Sequence, residues 1–243
     1  MFSLLKKEIS GFLSSLIGYI VIAVFLVIIG LLMWVLPVDS NVLNGGYAGI
    51  DPLFVMAPWV FLFLIPAVTM RSFAEEKKSG TIELLLTRPI SDVQIILAKY
   101  FACILLVVLA LLPTLVYFFS VYALGNPPGN LDMGRTWGSY FGLLFLAGGF
   151  VAVGVFASAI TNNQVVSFIL AVVLCFFCYS GFGYAGNFIS SGSLGNFVQQ
   201  LGISAHYSSM SRGVIDTRDV IYFVSLSAVF ILMSKTTLES RKW

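Results

Sequence analysis

The sequence predicts an all-α polytopic membrane protein with six transmembrane helices. Three observations predict it. Hydrophobic residues make up 59% of the 243 and charged residues only 10%, where a soluble domain carries about 25% charge. The charges are also segregated: residues 9–38, 52–70, 100–131, 136–205 and 220–234 contain none. Finally, roughly 20 apolar residues span a bilayer core, so four of these blocks are long enough to cross. The uncharged block of 70 residues is long enough for more than two passes.

Each element follows in order. In residues 1–14, MFSLLKKEISGFLS, Phe2, Leu5, Ile9 and Phe12 recur at intervals of three and four, with Lys6, Lys7, Glu8 and Ser10 between them. This is a short amphipathic helix suited to lie in the interface. Span 1 is expected at about 16–36, stopped by Pro37 and Asp39, and is too long for a cleaved signal segment. Glycine and asparagine breakers fill 38–51. Span 2, about 53–70, contains Pro58 and Pro66 and is expected to be kinked or broken, with neighbours satisfying the freed carbonyls. After a polar stretch, Ser91 and Gln94 form a capping box that starts span 3. This span runs through about 94–123, with a kink expected at Pro113. Lys99 lies one to two turns inside it and is expected to snorkel back to the membrane surface.

Residues 124–135 are a turn-rich loop. The long uncharged block breaks at Thr161-Asn162-Asn163-Gln164, giving span 4 at about 137–160 and span 5 at about 165–185. Glycines 138, 142, 148, 149 and 154 in span 4 allow close helix contact. Residues 186–215 are rich in Ser, Gly, Asn and Gln, and are read as an external re-entrant or interfacial element. Asp216 or Thr217 caps span 6, about 219–236. The chain 1–243 thus forms a single membrane domain.

Charge sets the orientation. With the N-terminus cytoplasmic, ten of the thirteen Lys and Arg residues fall on the inside, as the positive-inside rule requires. Six spans place both termini there, in a cytoplasmic (inner) membrane.

Several functions are excluded. No Asp or Glu sits in the middle of a span, which argues against an ion-coupled carrier. One histidine cannot build a metal cluster, and no Walker A sequence is present to hydrolyse ATP. No catalytic and no metal-ligating residues are therefore assigned, and no cofactor. Cys175 and Cys178 have CxxC spacing but lie within LCFFCYS, in the middle of a span, and read as small apolar side chains. The net charge of +2 gives no nucleic-acid surface.

The informative segment is 71–94, RSFAEEKKSGTIELLLTRPISDVQ, with eight charged residues of both signs. Gly80 divides it into two short helical pieces. The second presents Ile82, Leu85 and Leu86 on one side and Glu83 on another, and ends at Pro89. A short, mixed-charge, partly apolar helix pair at a membrane surface suits docking on a soluble protein, whereas a free solvated loop is a poor place for three consecutive leucines.

The run from Phe73 through Glu75, Glu76, Lys77, Gly80, Thr81, Glu83 and Leu85 to Pro89, with Ser91 and Lys99 beyond it, resembles the permease subunits of type-2 ABC transporters. The likeness extends over the whole chain. Within that family, MFSLLKKEI and the stretch from Gly46 to Ser91 are most similar to the gliding-motility permeases of the Bacteroidota. The resemblance implies that segment 71–90 is a cytoplasmic coupling helix between spans 2 and 3, received by a separate ATPase subunit dimer that binds ATP and Mg2+. Glu75 and Glu76 would meet basic residues of the ATPase, and Gly80 would permit the turn. ATP-driven closure would push on this element and tilt spans 1, 2 and 5 against a second, larger, related permease subunit in a heterodimer. Membrane lipid is the remaining partner. The transported substrate is not carried over. Three readings stand: a permease moving a substrate, a mechanotransmission subunit that moves no solute, and a membrane scaffold without an ATPase.

Overall fold

The computed structural model describes residues 1–38, 40–83, 90–189 and 192–240, and every regular element among them is helical. Six helices are long and apolar enough to cross a membrane: Gly18–Val35, Asp51–Lys78, Asp92–Leu124, Met133–Ile160, Gln164–Phe188 and Thr217–Glu239. Among the described residues they follow the order of spans 1 to 6; the second stretch takes in the turn at 70–73 and the short helix Ala74–Lys78, and span 2 itself is the helix Asp51–Thr69.

Local chemistry explains the ends. Ser15 leaves helical geometry between the N-terminal helix Phe2–Ser14 and span 1, and its hydroxyl accepts from the Gly18 N–H. Ser91 and Gln94 form the expected reciprocal capping box at the start of span 3. Asp132, Asn163 and Asp216 cap spans 4, 5 and 6 with side-chain oxygens, satisfying otherwise orphaned N–H groups.

Irregularities fall at the expected prolines in one case only. Pro113 turns three residues, Leu112–Thr114, into a 3-10 turn within span 3. Span 2, by contrast, runs helical from Asp51 to Thr69 straight through Pro58 and Pro66; it is not broken. A proline leaves the carbonyl four residues earlier without its helical donor. For Pro58 that carbonyl belongs to Phe54, and the buried Tyr207 hydroxyl donates to it at 2.7 Å. Two π turns, Leu31–Val35 and Phe177–Gly181, occur where no proline stands.

Span 4 is the centre of the bundle. Of its most apolar stretch 78% is buried, against 22%, 22% and 17% for spans 1, 5 and 6. The expected small-residue contacts are made. A side chain at Gly154 would overlap Thr69 of span 2, and one at Gly142 would come within 2.6 Å of Met210. Gly148 and Gly149 face Tyr100 and Leu226, of spans 3 and 6. Small residues let backbones approach closely where no hydrophobic force drives helices together in lipid. Spans 1, 5 and 6 instead present Val24, Val27, Val165, Ile169, Val224 and Leu232 outward, apolar surface that hydrocarbon can solvate.

The region 186–215 holds two further helices, Gly192–Gln200 and Ile203–Met210. The second buries Ile203, Tyr207 and Met210 at the end of the bundle far from the termini. There the Ser139 hydroxyl donates to the Ser211 carbonyl at 2.9 Å, and Arg135 pairs with Asp51 at 3.0 Å. His206 lies between Asp219 and the Gln200 carbonyl, at 2.7 and 2.8 Å, and stacks on Tyr222.

Candidate functional site

The site is built where the chain leaves span 2. Residues 70–73 turn, and a five-residue helix, Ala74–Lys78, follows. So short a helix is marginal alone and must be held by its surroundings. Three elements hold it.

The first is the end of span 4. The buried Ser158 hydroxyl accepts from the backbone N–H groups of Phe73 and Ala74, at 2.9 and 3.0 Å, and donates to the Met70 carbonyl at 3.1 Å. One side chain thus caps the short helix from another span. Lys77 reaches the Ala159 carbonyl beside it. The second element is span 3. The Lys99 ammonium lies 3.0 Å from Glu76 and 5.1 Å from the centre of the Phe73 ring. Phe73 is fully buried, and Ser72 touches the Cys103 thiol. The third is the N-terminal helix, where Glu8 pairs with the same Lys99 at 3.0 Å and Lys7 approaches Glu76 at 3.8 Å.

Lys99 is therefore a correction to the sequence reading. Its side chain does not snorkel to the surface; it is 1% exposed and turned inward between two carboxylates. A buried ammonium persists only when paired and hydrogen-bonded, and Glu8 and Glu76 supply both. The stripe of the N-terminal helix also shifts. Leu4, Leu5, Ile9 and Phe12 face the protein together with Glu8, while Phe2 is 86% exposed. Glu8 occupies the position between Leu5 and Phe12 on the inward face. That was the signal available in the sequence, since an acid within an apolar stripe needs a partner. Ser158, in an uncharged run of small residues, left no such signal.

The other candidate residues divide by exposure. Glu76 and Lys77 turn inward, whereas Glu75, Lys78, Ser79, Gly80, Thr81 and Glu83 are exposed. Gly80 adopts φ +73°, a left-handed backbone that favours glycine, in the turn that follows the helix Ala74–Lys78; the second helical piece expected after it runs into 84–89, outside the described residues. The Ser79 and Thr81 hydroxyls, 2.9 Å apart, tie the turn together. Leu85 and Pro89, with the rest of 84–89, lie outside the described residues.

The arrangement is a small acidic and basic knob joined to the N-terminal helix and to spans 2, 3 and 4 by hydrogen bonds and ion pairs. No match to a curated protein is found. The family model described as "ABC-2 family transporter protein" matches residues 2–234, almost the entire chain and the whole of the junction. A six-span helical membrane chain with this match belongs to the ABC-2 transporter family, as the membrane component of such a system.

Proposed function

We propose that this subunit couples ATP hydrolysis on a separate ATPase dimer to conformational work across the inner membrane, and that segment 71–90 is the coupling element. The observation that carries this reading is the helix Ala74–Lys78, which exposes Glu75 and Lys78 on one side and is held on the other by Ser158 and Lys99, with Lys7 near Glu76. Both termini and the coupling element are cytoplasmic in this reading, ATP and Mg2+ bind the ATPase, and a second, larger related permease completes a heterodimer. The gliding-motility system is the assignment that the sequence likeness favours.

Glu75 and Glu83 are the acids that reach the ATPase, because Glu76 already serves Lys99. The test is charge reversal. Glu75→Lys with Glu83→Lys removes co-purification of the ATPase, or its stimulated hydrolysis, at unchanged melting temperature. A double variant that retains stoichiometric ATPase with wild-type activity overturns the assignment.

A second reading keeps the coupling but moves no solute, passing motion to machinery outside the membrane. It is favoured by the two grooves at membrane depth. One, of about 510 Å³, is lined by Tyr100, Phe145 and Phe223 among others, and the other, of about 570 Å³, by Trp59, Phe63 and Val24 among others. Both suit an acyl chain and neither suits a hydrophilic solute. ATPase activity that depends on an extracytoplasmic partner, with no substrate moved in vesicles, distinguishes this reading from transport.

A further inference from the structure

The one histidine of the sequence, His206, stands at the end of the bundle far from the termini, in the helix Ile203–Met210. Its ring faces an oxygen on either side. Nδ1 lies 2.7 Å from the Asp219 carboxylate of span 6, and Nε2 lies 2.8 Å from the Gln200 carbonyl, at the end of the helix Gly192–Gln200. A carbonyl and a carboxylate only accept, so both ring nitrogens must donate. A neutral imidazole carries a single N–H, and the pair of bonds needs the imidazolium.

The surroundings favour that charge. Asp219 is buried, the Ser209 hydroxyl takes its second oxygen, and His206 is the cation it pairs with among the described residues. The Gln200 carbonyl belongs to the last turn of its helix, the negative end of the dipole, where a cation is favoured. The ring also stacks on the face of Tyr222, with centroids 3.9 Å apart and planes 20° apart, and an aromatic face attracts positive charge. Because the imidazole is 20% exposed, solvent protons reach it. Ser209 bonds to Asp219 and not to the ring, so the trio is not a nucleophilic relay, in which the imidazole must face the hydroxyl.

Other titratable groups on the elements packed against this helix are engaged elsewhere or lie outside the pair. Arg135 and Tyr140 of span 4 bond with Asp51 and Thr114, and Asp216 caps span 6 beside Arg218. Cys178 and Tyr179 come from the π turn of span 5. On the helix itself Tyr207 turns to the Phe54 carbonyl, and Arg212 just beyond donates to Ser208.

We propose that His206 is a pH-sensitive clamp: charged, it ties the end of the helix Gly192–Gln200 to span 6, and on losing its second proton it gives up one of the two bonds and loosens the segment 192–210. The clamp is complete at low pH and is lost as pH rises, with the change falling in the window between about pH 5 and 8 where histidine changes charge. Neither the coupling element nor an ATPase enters this inference, and its failure leaves the coupling reading untouched.

The test uses the full chain in nanodiscs, purified without a histidine tag and labelled with ring-15N histidine. A single histidine gives a spectrum that needs no assignment. Both nitrogens are expected to be protonated at about pH 5.5 and one of them at about pH 8.5. Amide exchange of 203–210, corrected for its intrinsic pH dependence, is read on the same samples. One charge-assisted hydrogen bond corresponds to about a tenfold effect, so protection falls about tenfold across that interval in the wild type. His206→Gln, whose amide does not titrate, removes the pH dependence. Asp219→Asn moves the loss of the second proton to lower pH, since the ring loses its counter-charge. A ring with one proton throughout, or with two throughout, overturns the clamp. So does protection that is unchanged with pH in the wild type, or that falls equally in His206→Gln. An unmoved proton loss in Asp219→Asn overturns the pairing with span 6. The ring spectrum and wild-type exchange decide the matter even where a variant fails to fold.

Discussion

The two ends of span 4 hold their neighbours in opposite ways. At the end far from the termini, the closest contacts run through backbone: Gly138 lies against the backbone of Gly213, Gly142 against Met210, and the Ser139 hydroxyl on the Ser211 carbonyl, with the partly exposed Arg135–Asp51 pair beside them. At the other end, contact is polar and made by side chains: Ser158 caps the helix Ala74–Lys78, and Lys99 joins Glu8 and Glu76. Backbone contacts have no room to adjust, because packed interiors do not deform continuously. Hydrogen bonds and ion pairs break and re-form without opening a cavity. The far end is thus built as a fixed joint, and the end bearing the candidate site as one held by exchangeable polar contacts.

The difference sets the order of mutational effects. The largest belongs to the fixed joint. A side chain at Gly138 would overlap the Gly213 backbone, and backbone cannot swing aside. Gly138→Leu is expected to yield no monodisperse protein in detergent, and Gly138→Ala to destabilise by about 1–3 kcal/mol. A Gly138→Leu protein that elutes and melts like wild type would show that the far end is looser than the charged one, inverting the comparison.

Next comes Lys99. Removing one member of a buried ion pair leaves uncompensated charge and costs about 3–5 kcal/mol. Lys99→Met is expected to lower thermal stability by that order. The triple change Lys99→Met, Glu8→Gln, Glu76→Gln is expected to recover most of it, since no charge remains stranded. The sum of the three single effects should exceed the triple effect, as coupled residues require. Additive effects would mean that the three groups act independently.

Ser158→Ala leaves two buried N–H groups without an acceptor, at about 1–3 kcal/mol locally. Its readout is hydrogen exchange: the amides of Phe73 and Ala74 should exchange faster while those of span 4 do not. Uniform acceleration throughout the bundle would make Ser158 a core residue and not a local cap.

The smallest effect sharpens the account of span 6. The Arg218 backbone N–H donates to the exposed Asp216 carboxylate, holding its pKa below the ordinary value. A depressed carboxylate stabilises the fold above its unfolded pKa, and that contribution disappears as pH falls through the folded value. Asp216→Asn keeps the cap and should flatten the slope of melting temperature against pH below about 4. An unchanged slope would assign the acid sensitivity to other carboxylates.

The sequence by itself determined the six apolar helices, the capping box at Ser91, the glycine face of span 4 and the polar segment after span 2. Each is a local property. Span length follows from the absence of water in hydrocarbon, caps from orphaned N–H groups, and the Gly80 turn from an unhindered left-handed backbone. Only the tertiary structure decided which polar groups meet. Lys99 and Glu8 are 91 residues apart in the chain, and Phe73 and Ser158 are 85. No helical period connects such residues. Snorkelling was the expectation for Lys99 because a lone lysine in a span has nowhere else to put its charge. The packed bundle gave it two carboxylates, and a paired ammonium has no need of water. For the same reason Pro58 did not break span 2: the donor that answers its freed carbonyl, Tyr207, lies 153 residues beyond Phe54 and is brought there by the fold.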